Sequence, residues 1–396
     1  MPFEFKYLDR ISAISATDWA RISASDYPFT SHQFLTALEQ SGSVCDKTGW
    51  LPNHLLIYND EKLIGAMPGY LKSHSYGEYV FDWRWAGAYE QHGLDYYPKQ
   101  LFAIPFTPVS GPRLLLDRDF SNQDLLPELN RFLRASASEK GLSGWHMLFL
   151  EDEITAQLTQ CGNLRRRDVQ FEWNNSEHTI FDDFLGTLRS AKRKQIRKER
   201  RRVAEQGLTL QRKVGADIQP KDWLFFYRCY QHTYAKRSGH GGYLNQRFFE
   251  RISKTMADQV MLVIATANQE RSGEPVPIAS ALFFFDNNAL YGRYWGTLLE
   301  LDCLHFETCY YQGIEFAIER GLERFNPGTQ GEHKLARGFE PTYTNSVHWL
   351  AQPQFHKAIG DYLDNEETTI KRYFQECLTR AAYRQEPEDA QSSNVS

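Results

Sequence analysis

The sequence predicts an α/β fold of the α+β type, with mixed, mostly antiparallel sheets flanked by helices in two tandem domains. Its 396 residues are too many for one ordinary domain, and 41% of them are hydrophobic, enough for two cores. From Leu208 onward, periodicity and turn residues give the element order β-α-α-β-β-β-α-β-α-β. Residues 290–341 predict strand, helix, short strand and short helix, with ionisable side chains at the junctions.

In the first half, short helical patterns alternate with strands. Ser31 is a polar N-cap before the helical pattern HQFLTALEQ. HLLIYN and KLIGAMPGYL flank residues 59–61 and predict an antiparallel hairpin. Within the aromatic-rich residues 72–113, the alternation in SYGEYVFDW predicts a strand. A helix over Asn122–Glu139, the strand WHMLFL and a helix near residues 154–160 follow.

The second half begins with the predicted strand LRRRDVQFEW, a long helix over residues 181–206 and the strand LTLQR. Two helices then precede the antiparallel strands VMLVIATA, PIASALFFF and ALYGRYW, and residues 286–288 form the last turn. The remaining predicted elements are a helix over residues 305–321, the strand ERFNP, a helix over 331–338, the strand SVHWL, and helices over 354–364 and 366–383.

We expect a domain boundary near residues 162–176, between an N-terminal domain (1–165) and a C-terminal domain (166–384). Residues 385–396 are low in apolar side chains and predict a disordered tail. No low-complexity linker separates the halves, so the two domains should pack closely.

Composition limits the class of protein. The net charge of −5 gives no general attraction for nucleic acid, so any such attraction must be local. Six cysteines without a CxxC pair argue against a disulfide framework or zinc knuckle and fit a reducing compartment. The start MPFEFKYLDR does not resemble a signal peptide, and no run approaches the ~18 apolar residues of a membrane span. We therefore expect a soluble, cytoplasmic protein without an integral membrane segment, and peripheral membrane contact stays open.

Several long blocks resemble one known family. They are SAKRKQIRKERRRV, CYQHTYAKRSGHGGYLNQRFFERI, GLERFNPGTQGEHKLARGF, and the N-terminal KSHSYGEYVFDW and PFTPVSGPRLL. With the element order above, which is that of the acyl-CoA N-acyltransferase (GNAT) fold, the chain resembles the FemAB-like predicted N-acyltransferases of peptidoglycan biosynthesis or recognition. The resemblance spans most of residues 30–365. It implies two GNAT-like domains and transfer of an acyl or aminoacyl group to an amine, with a lipid-linked cell-wall peptide precursor as one acceptor.

The acyl donor is left open between aminoacyl-tRNA and acyl-CoA, and no other cofactor is assigned. GNAT enzymes hold the CoA pyrophosphate on a glycine-rich turn after the fourth strand. Here residues 296–304 contain one glycine, and Glu300 and Asp302 would repel a pyrophosphate. FemAB proteins use aminoacyl-tRNA, a donor with which this loop is compatible.

A strongly basic helix is the first candidate for substrate binding. Residues 189–202 hold nine Lys or Arg against one acid, Glu199. An apolar stripe packs one face inward, while Arg193 and Arg197 project from the other and Lys192 falls within the stripe. We expect these cations to bind the donor's phosphates. The alternative is an ordinary solvated helix face.

The two helix starts near residues 305 and 332 are the candidate catalytic site. In this fold both open on one sheet edge, so five ionisable side chains could converge: His305, Glu307, Glu332, His333 and Lys334. A carboxylate or a neutral imidazole can deprotonate the acceptor amine. Positive charge could stabilise the oxyanion, and the cations available for this task are Lys334, Arg293 and Arg337.

Two alternatives accompany this assignment. The carboxylates could instead cap their helices. Two His and two carboxylates could also hold zinc or manganese, although no ligand spacing organises them, and no metal is assigned. A two-residue offset moreover points His305 and Glu307 to different sides of a helix.

Two further segments are predicted to contact substrate. In the N-terminal half, an aromatic and acidic wall of the kind that lines sugar or peptide clefts includes His74, Glu78, Asp82 and Trp83. The glycine-rich segment between two helices, with Tyr234 and Tyr243, could cover the cleft. The alternatives are a core strand with solvent-facing acids and an ordinary loop.

The main functional hypothesis is therefore an N-acyltransferase of FemAB type. A non-catalytic module that recognises a cell-wall precursor or nucleic acid, and an acetyl-CoA-dependent acetyltransferase of a small amine, are the alternatives.

Overall fold

The first half of the chain alternates short strands and helices in the computed structural model, which describes residues 3–23, 25–268, 275–329 and 331–384. The strands are β1 (Glu4–Leu8), β2 (Trp50–Pro52), β3 (His54–Asn59), β4 (Lys62–Met67), β5 (Gly69–Lys72), β6 (Lys99–Phe102), β7 (Leu115–Leu116) and β8 (Gly144–Leu150). The helices are α1 (Ala16–Ile22), α2 (His32–Gln40), α3 (Trp83–Gln91), α4 (Asn122–Glu139) and α5 (Asp152–Gln160).

The second half begins with β9 (Leu164–Asn174), α6 (Phe181–Thr187), α7 (Ser190–Glu205), β10 (Leu208–Val214), α8 (Pro220–Ser238) and α9 (Gln246–Thr255). It continues with β11 (Val260–Asn268), β12 (Pro275–Phe285), β13 (Ala289–Thr297), α10 (Leu304–Phe306), a π-helical turn (Glu307–Tyr311) and α11 (Gln312–Arg320). The last elements are β14 (Arg324–Asn326), the 3₁₀ helix Glu332–Arg337, β15 (Glu340–Leu350) and α12 (Pro353–Thr379).

Among the described residues, the strands form two sheets. The smaller has the order β1-β3-β4-β7, and the larger runs β10-β11-β12-β13-β14-β9-β15-β8-β6-β5-β2. Pairing is antiparallel except between β13 and β14 and between β6 and β8. The sequence-predicted mixed, mostly antiparallel sheets flanked by helices are therefore confirmed. The predicted boundary at 165/166 falls within β9, which pairs with both β14 and β15, and the division into domains stays a prediction.

The two halves share an apolar core. The rings of Phe29 and Phe34, which precede and begin α2, lie 5.2 and 5.7 Å from the ring of Phe284 on β12. Phe29 also contacts Tyr291 on β13 at 5.3 Å, and Phe34 contacts Phe248 on α9 at 5.6 Å. All these side chains are buried, so the first half packs directly against the sheet that carries the site below.

Local sequence signals set several of these elements. The hydroxyl of Ser31 accepts a hydrogen bond from the Phe34 N–H and caps α2. Asp60 and Glu61 form the β3–β4 turn with positive φ angles of 46° and 64°. The carboxylate of Asp286 accepts from the N–H groups of Asn288 and Ala289 and closes the β12–β13 turn.

Three predicted elements differ from the structure. The predicted helix over residues 181–206 is two helices, because Leu188 is extended, fully buried and bridged to Tyr383. The predicted helices over 354–364 and 366–383 are one, α12, since no helix-breaking residue separates them. The predicted strand SYGEYVFDW is instead a series of bends that ends at the start of α3. The predicted disordered tail, 385–396, lies outside the described residues.

Candidate functional site

The site forms where two parallel strands separate. β13 and β14 pair only from Ala289 to Tyr291, opposite Arg324 to Asn326, while β13 continues to Thr297. A β-bulge between β12 and β13 falls in this stretch, because Leu282 pairs with Tyr294 and Phe283 pairs with Gly292. Arg293 is thus the extra residue, and a bulge re-aims such a side chain. The end of β13 is left open for a ligand.

A cavity of about 690 Å³ lies at this separation. Its walls come from β12 and β13, from the end of α8, from the start of the helix at residue 304, and from the residues after β14. The first half of the chain contributes Tyr79 and Pro108. A volume of this size accommodates an extended small molecule or the end of a larger one.

The helix that begins at Leu304 presents one face to the cavity. His305 and Cys309, four residues apart, line it together with Tyr310. Glu307 lies on another face and is 4% exposed. Its carboxylate accepts two hydrogen bonds from Arg200 of α7, each at 3.1 Å, and one from Gln312. The sequence-predicted base Glu307 is therefore separated from His305 by the geometry of the helix.

The 3₁₀ helix Glu332–Arg337 is likewise divided between two faces. His333 and Lys334 line the cavity, and the Nε2 atom of His333 lies 2.8 Å from the Tyr310 hydroxyl. Glu332 instead points away, where its exposed carboxylate accepts from Arg380 and Tyr373. The structure thus brings His305, His333 and Lys334 to one cavity but not Glu307 or Glu332.

Arg337 also lies outside the cavity, although the sequence predicts that it binds substrate. Its guanidinium makes two hydrogen bonds to the Glu199 carboxylate, at 2.7 and 3.1 Å, and covers the Phe306 ring. Both residues are buried, and Tyr311 donates to the same carboxylate. This pair joins α7 to the helix and the 3₁₀ segment that carry the cavity side chains, so Arg337 is a structural anchor.

Lys334 is a buried amine with little to compensate a positive charge. It is 0% exposed, and its Nζ donates to the Gly328 carbonyl. No carboxylate pairs with it in the described part of the chain. Burial lowers the pKa of Lys334 to about 7, because water no longer solvates the ammonium. The neutral form of the Lys334 amine is therefore well populated near neutral pH, at about half of the molecules at pH 7.

The imidazoles are also held neutral. Burial lowers the pKa of His305 to about 3, with smaller contributions from His333 and Arg237. Burial and then the charge of Arg337 lower the pKa of His333. Among the described residues that line the cavity there is no Asp or Glu, whereas Arg237 and Arg293 are cationic. The cavity is thus suited to a neutral or anionic ligand.

The predicted tyrosines do line the cavity. Tyr234 and Tyr243 lie on one wall with Tyr294, and Tyr243 stacks on Phe106 of the first half at 4.9 Å. The guanidinium of Arg293 donates to the Phe106 carbonyl. The wall therefore combines side chains from both halves.

The predicted N-terminal wall of acids and aromatics is not a wall in the structure. Glu78 and Asp82 are 4% and 3% exposed, and both accept hydrogen bonds from the buried Lys99. Trp83 is 42% exposed at the start of α3, and His74 lies 3.1 Å from the Thr48 carbonyl. None of the four lines the cavity. The prediction from the period-2 pattern is wrong here because both carboxylates accept hydrogen bonds from buried Lys99, which follows Asp82 by 17 residues and Glu78 by 21.

The basic helix α7 keeps a cationic outer face. Ile196 and Val203 are buried as the apolar stripe predicts. Lys192 and Arg193 are half-buried without an ion pair in the described residues, and exposed Arg197 pairs with Asp182 at 2.9 Å. Arg200 points inward to Glu307. The outer face of α7 therefore keeps the cations Lys192, Arg193 and Arg197, which are suited to binding phosphates.

The described residues hold no group of three or more His, Cys, Asp or Glu arranged for a metal ion. The side chains considered as alternative metal ligands are separated, because Glu307 pairs with Arg200 and Glu332 pairs with Arg380, both away from the cavity. The helices of the described part include none with the length and apolarity of a membrane span.

Sequence reasoning missed Arg237, Cys309, Tyr310 and Tyr79 as cavity residues. Arg237 follows Tyr234 by three residues on α8, a spacing that places both on one helix face and could have indicated it. Cys309 follows His305 by four residues and could have been indicated in the same way. No local signal points to Tyr79, because its place depends on packing between the halves.

Comparisons with solved structures identify the fold. FemX aligns with a TM-score of 0.53 at 13% identity, over 89% of this chain and 98% of that one. The C-terminal domain of a putative lysylphosphatidylglycerol synthetase from Agrobacterium fabrum gives 0.51 at 10% identity, over 88% and 96%. L-PGS from Bacillus licheniformis gives 0.50 at 11%, over 91% and 98%. These similarities define the class by its fold: the chain shares the fold of FemX and of L-PGS.

The sequence matches the profile of the FemAB-like family, described as peptidoglycan biosynthesis/recognition, over residues 10–385. The chain belongs to this family. A comparison with curated proteins found no match.

Proposed function

We propose that this protein is an N-acyltransferase of FemAB type that transfers an acyl or aminoacyl group to an amine within the cavity between β13 and β14. The observation that carries the proposal is the buried Lys334 amine, unpaired with any described carboxylate, facing a cavity lined by described residues that include no acid. Family membership and the separated parallel strands support the same reaction class.

Amide formation requires a neutral acceptor amine. The positive charges of Arg237 and Arg293 would disfavour an ammonium in the cavity. The acceptor amine therefore either enters the cavity in its neutral form or loses its proton there. We infer that Lys334, rather than Glu307 or Glu332, receives the proton, because its pKa of about 7 lies near the operating pH. Neutral His305 and His333 assist as hydrogen-bonding groups.

The transfer step is balanced by these groups. The amine nitrogen attacks the acyl carbonyl carbon of an ester or thioester, and the nitrogen's proton passes to the Lys334 amine. The resulting ammonium and Arg293 stabilise the oxyanion. When the carbon–oxygen or carbon–sulfur bond breaks, the proton from Lys334 passes to the leaving group, and the amine becomes neutral again.

Two donors remain in the proposal. The cationic face of α7, with Lys192, Arg193 and Arg197, supports aminoacyl-tRNA as donor, since α7 is anchored to the elements that carry the cavity. Acyl-CoA gains some support from the loop after β13, because Glu300 pairs with Lys236 and Asp302 pairs with Arg202. These ion pairs weaken the repulsion of a pyrophosphate that the sequence alone predicts.

The acceptor is an amine, and the family description supports a peptidoglycan-type precursor as its class. The test is a transfer assay with purified protein, radiolabelled aminoacyl-tRNA or acetyl-CoA, and a panel of amines that includes muramyl peptides. Mass spectrometry of the products identifies the new amide.

Lys334→Met should reduce kcat at least a hundredfold, because the proton acceptor is lost. Lys357→Met is the matched control, since it removes an exposed ammonium that pairs with Asp361 on α12. Wild-type turnover by the Lys334 variant would remove the proposed mechanism. Strong, salt-dependent tRNA binding without turnover of any donor would instead favour the recognition module.

A further inference from the structure

Residues 73–82, here the tyrosine loop, connect β5 to α3 and reach the cavity through Tyr79. Tyr79 has a φ angle of 62°, in the left-handed region. That backbone conformation is unfavourable for a residue other than glycine, because the Cβ atom approaches the following carbonyl oxygen. Surrounding contacts must therefore hold the loop in place, and such strain is common where a side chain has a specific task.

The buried Lys99 contacts the loop at three points, and the buried Lys72 donates to the Tyr76 carbonyl as well. The Nζ of Lys99, on β6, donates to Ser75 Oγ at 2.9 Å, to Glu78 Oε2 at 2.8 Å, and to Asp82. All four residues are at most 4% exposed. The three acceptors lie on both sides of Tyr79 in the sequence. One ammonium thus ties both ends of the loop to the sheet.

The cluster joins one ammonium to two carboxyl groups. Burial would lower the pKa of Lys99, but the two carboxylates raise it above its usual value. Burial would likewise raise the pKa of Asp82, yet Lys99 and then His146 lower it. Burial raises the pKa of Glu78 to about 7 despite the attraction of Lys99. A pair of this kind is costly to desolvate, and removing one partner is strongly destabilising.

The loop makes two connections to the cavity wall. The Gly77 carbonyl accepts from the Phe106 N–H at 3.2 Å, and Phe106 in turn stacks on Tyr243 and accepts from Arg293. Tyr79 itself packs among the tyrosines of the wall, including Tyr234. Burial raises the pKa of Tyr234, and the nearby Tyr79 raises it further. The part of the wall around Tyr79 is thus formed mainly by phenol rings.

We propose that Tyr79 is a specificity-determining residue that contacts the amine acceptor, and that Lys99 is the positioning residue that holds it there. The wall fits a neutral part of the acceptor that carries hydroxyl or amide groups, since phenols offer flat apolar faces and hydrogen bonds. In the proposed function the donor's phosphates bind to the cations of α7, in the second half of the chain. The wall to which the first half contributes Tyr79 is then available for the acceptor. The role of Tyr79 rests on the proposed function; the role of Lys99 does not.

The first test measures hydrogen exchange and needs no substrate. Lys99→Met alone leaves two buried carboxylates unpaired, so the triple variant Lys99→Met, Glu78→Gln, Asp82→Asn is compared with wild type. Amides of residues 74–82 should exchange at least tenfold faster in the variant, with protection of β11 and β12 unchanged. Equal exchange in the loop would overturn the positioning role of Lys99.

The second test measures transfer kinetics. Tyr79→Asn, a residue that tolerates a positive φ, should raise the acceptor KM at least tenfold and leave kcat within threefold. Tyr79→Phe should recover most of the apolar contact. Tyr76→Ala is the matched control, because Tyr76 lies in the same loop, is 58% exposed and does not line the cavity.

An unchanged KM in Tyr79→Asn, or an equal rise in Tyr76→Ala, would contradict the role of Tyr79. If the wild type transfers no acyl group from any donor, the proposed function has failed and the role of Tyr79 fails with it. The exchange experiment then still decides whether Lys99 positions the loop.

Discussion

Replacing Lys334 by Met should stabilise the protein while abolishing its activity. The side chain is 0% exposed, and among the described residues only the Gly328 carbonyl accepts from its amine. A lysine in an unfolded chain titrates near ~10.4. In the folded protein burial lowers the pKa of Lys334 to about 7. A proton bound to this amine in the unfolded chain is therefore disfavoured in the folded protein, which lowers the free energy of unfolding. Methionine has a similar length and no amine, so the variant does not carry this cost.

The magnitude follows from the pKa difference. A difference of roughly three units corresponds to about 4 kcal/mol, at 1.36 kcal/mol per unit. Loss of the hydrogen bond to Gly328 lowers the free energy of unfolding of the variant by about 1 kcal/mol and so offsets part of this gain. The variant should thus gain on the order of 3 kcal/mol in free energy of unfolding at pH 7.

The gain depends on pH in a defined direction. Between pH ~10.4 and about 7, an unfolded Lys334 binds a proton that the folded one does not, so wild-type stability falls as pH falls through this range. Below pH 7 both forms are protonated and the difference stays constant. The advantage of the Met variant should therefore be small near pH 10 and full at pH 7 and below.

Urea unfolding followed by tryptophan fluorescence at pH 7 and 9.5 measures this gain, and the chain has 9 Trp residues to report it. Lys357→Met serves as control, because its exposed ammonium should show no such pH-dependent gain. If the Lys334 variant is no more stable than wild type at pH 7, the amine is charged and well solvated in the folded protein. The proposed proton acceptor would then be lost.

Three further predictions concern the same region. Arg337→Met should lower the free energy of unfolding by about 3 kcal/mol, measured by urea unfolding, because it leaves the buried Glu199 carboxylate without its guanidinium partner; an unchanged midpoint would contradict the anchoring role. Transfer activity should rise with pH through about 7 as Lys334 loses its proton, and a kcat profile flat from pH 6 to 8 would exclude Lys334 as base. Replacing Arg193 and Arg197 by Gln should make tRNA binding less dependent on salt. The slope of log K against log salt should fall in magnitude by roughly 0.7–0.9 for each phosphate contact that is lost. An unchanged slope would mean that the donor binds elsewhere.

Much of the fold could be predicted because its signals are local. The capping hydroxyl of Ser31, the α4 bounds Asn122–Glu139 and the turn at Asp286 each depend on neighbours within a few residues. The family blocks likewise gave the fold class. The convergence of His305 with Lys334 followed from topology, since consecutive helix starts open on one edge of such a sheet.

The selection among the ionisable groups could not be made from periodicity. Glu307 and Arg200 are separated by 107 residues, and Arg337 and Glu199 by 138, so their pairing depends on how α7 packs. Glu78, assigned by its sequence pattern to a cleft wall, is buried because Lys99 on β6 donates to its carboxylate.

The amino-acid pattern therefore established the order of strands and helices, the family and the neighbourhood of the cavity, because hydrogen bonding within helices, strands and turns acts over short stretches of chain. Which carboxylate meets which cation, which amine loses its charge, and how Tyr79 reaches a cavity in the other half were settled by packing. Burial and Coulomb attraction depend on distance in space, and folding brings together residues that the sequence keeps far apart.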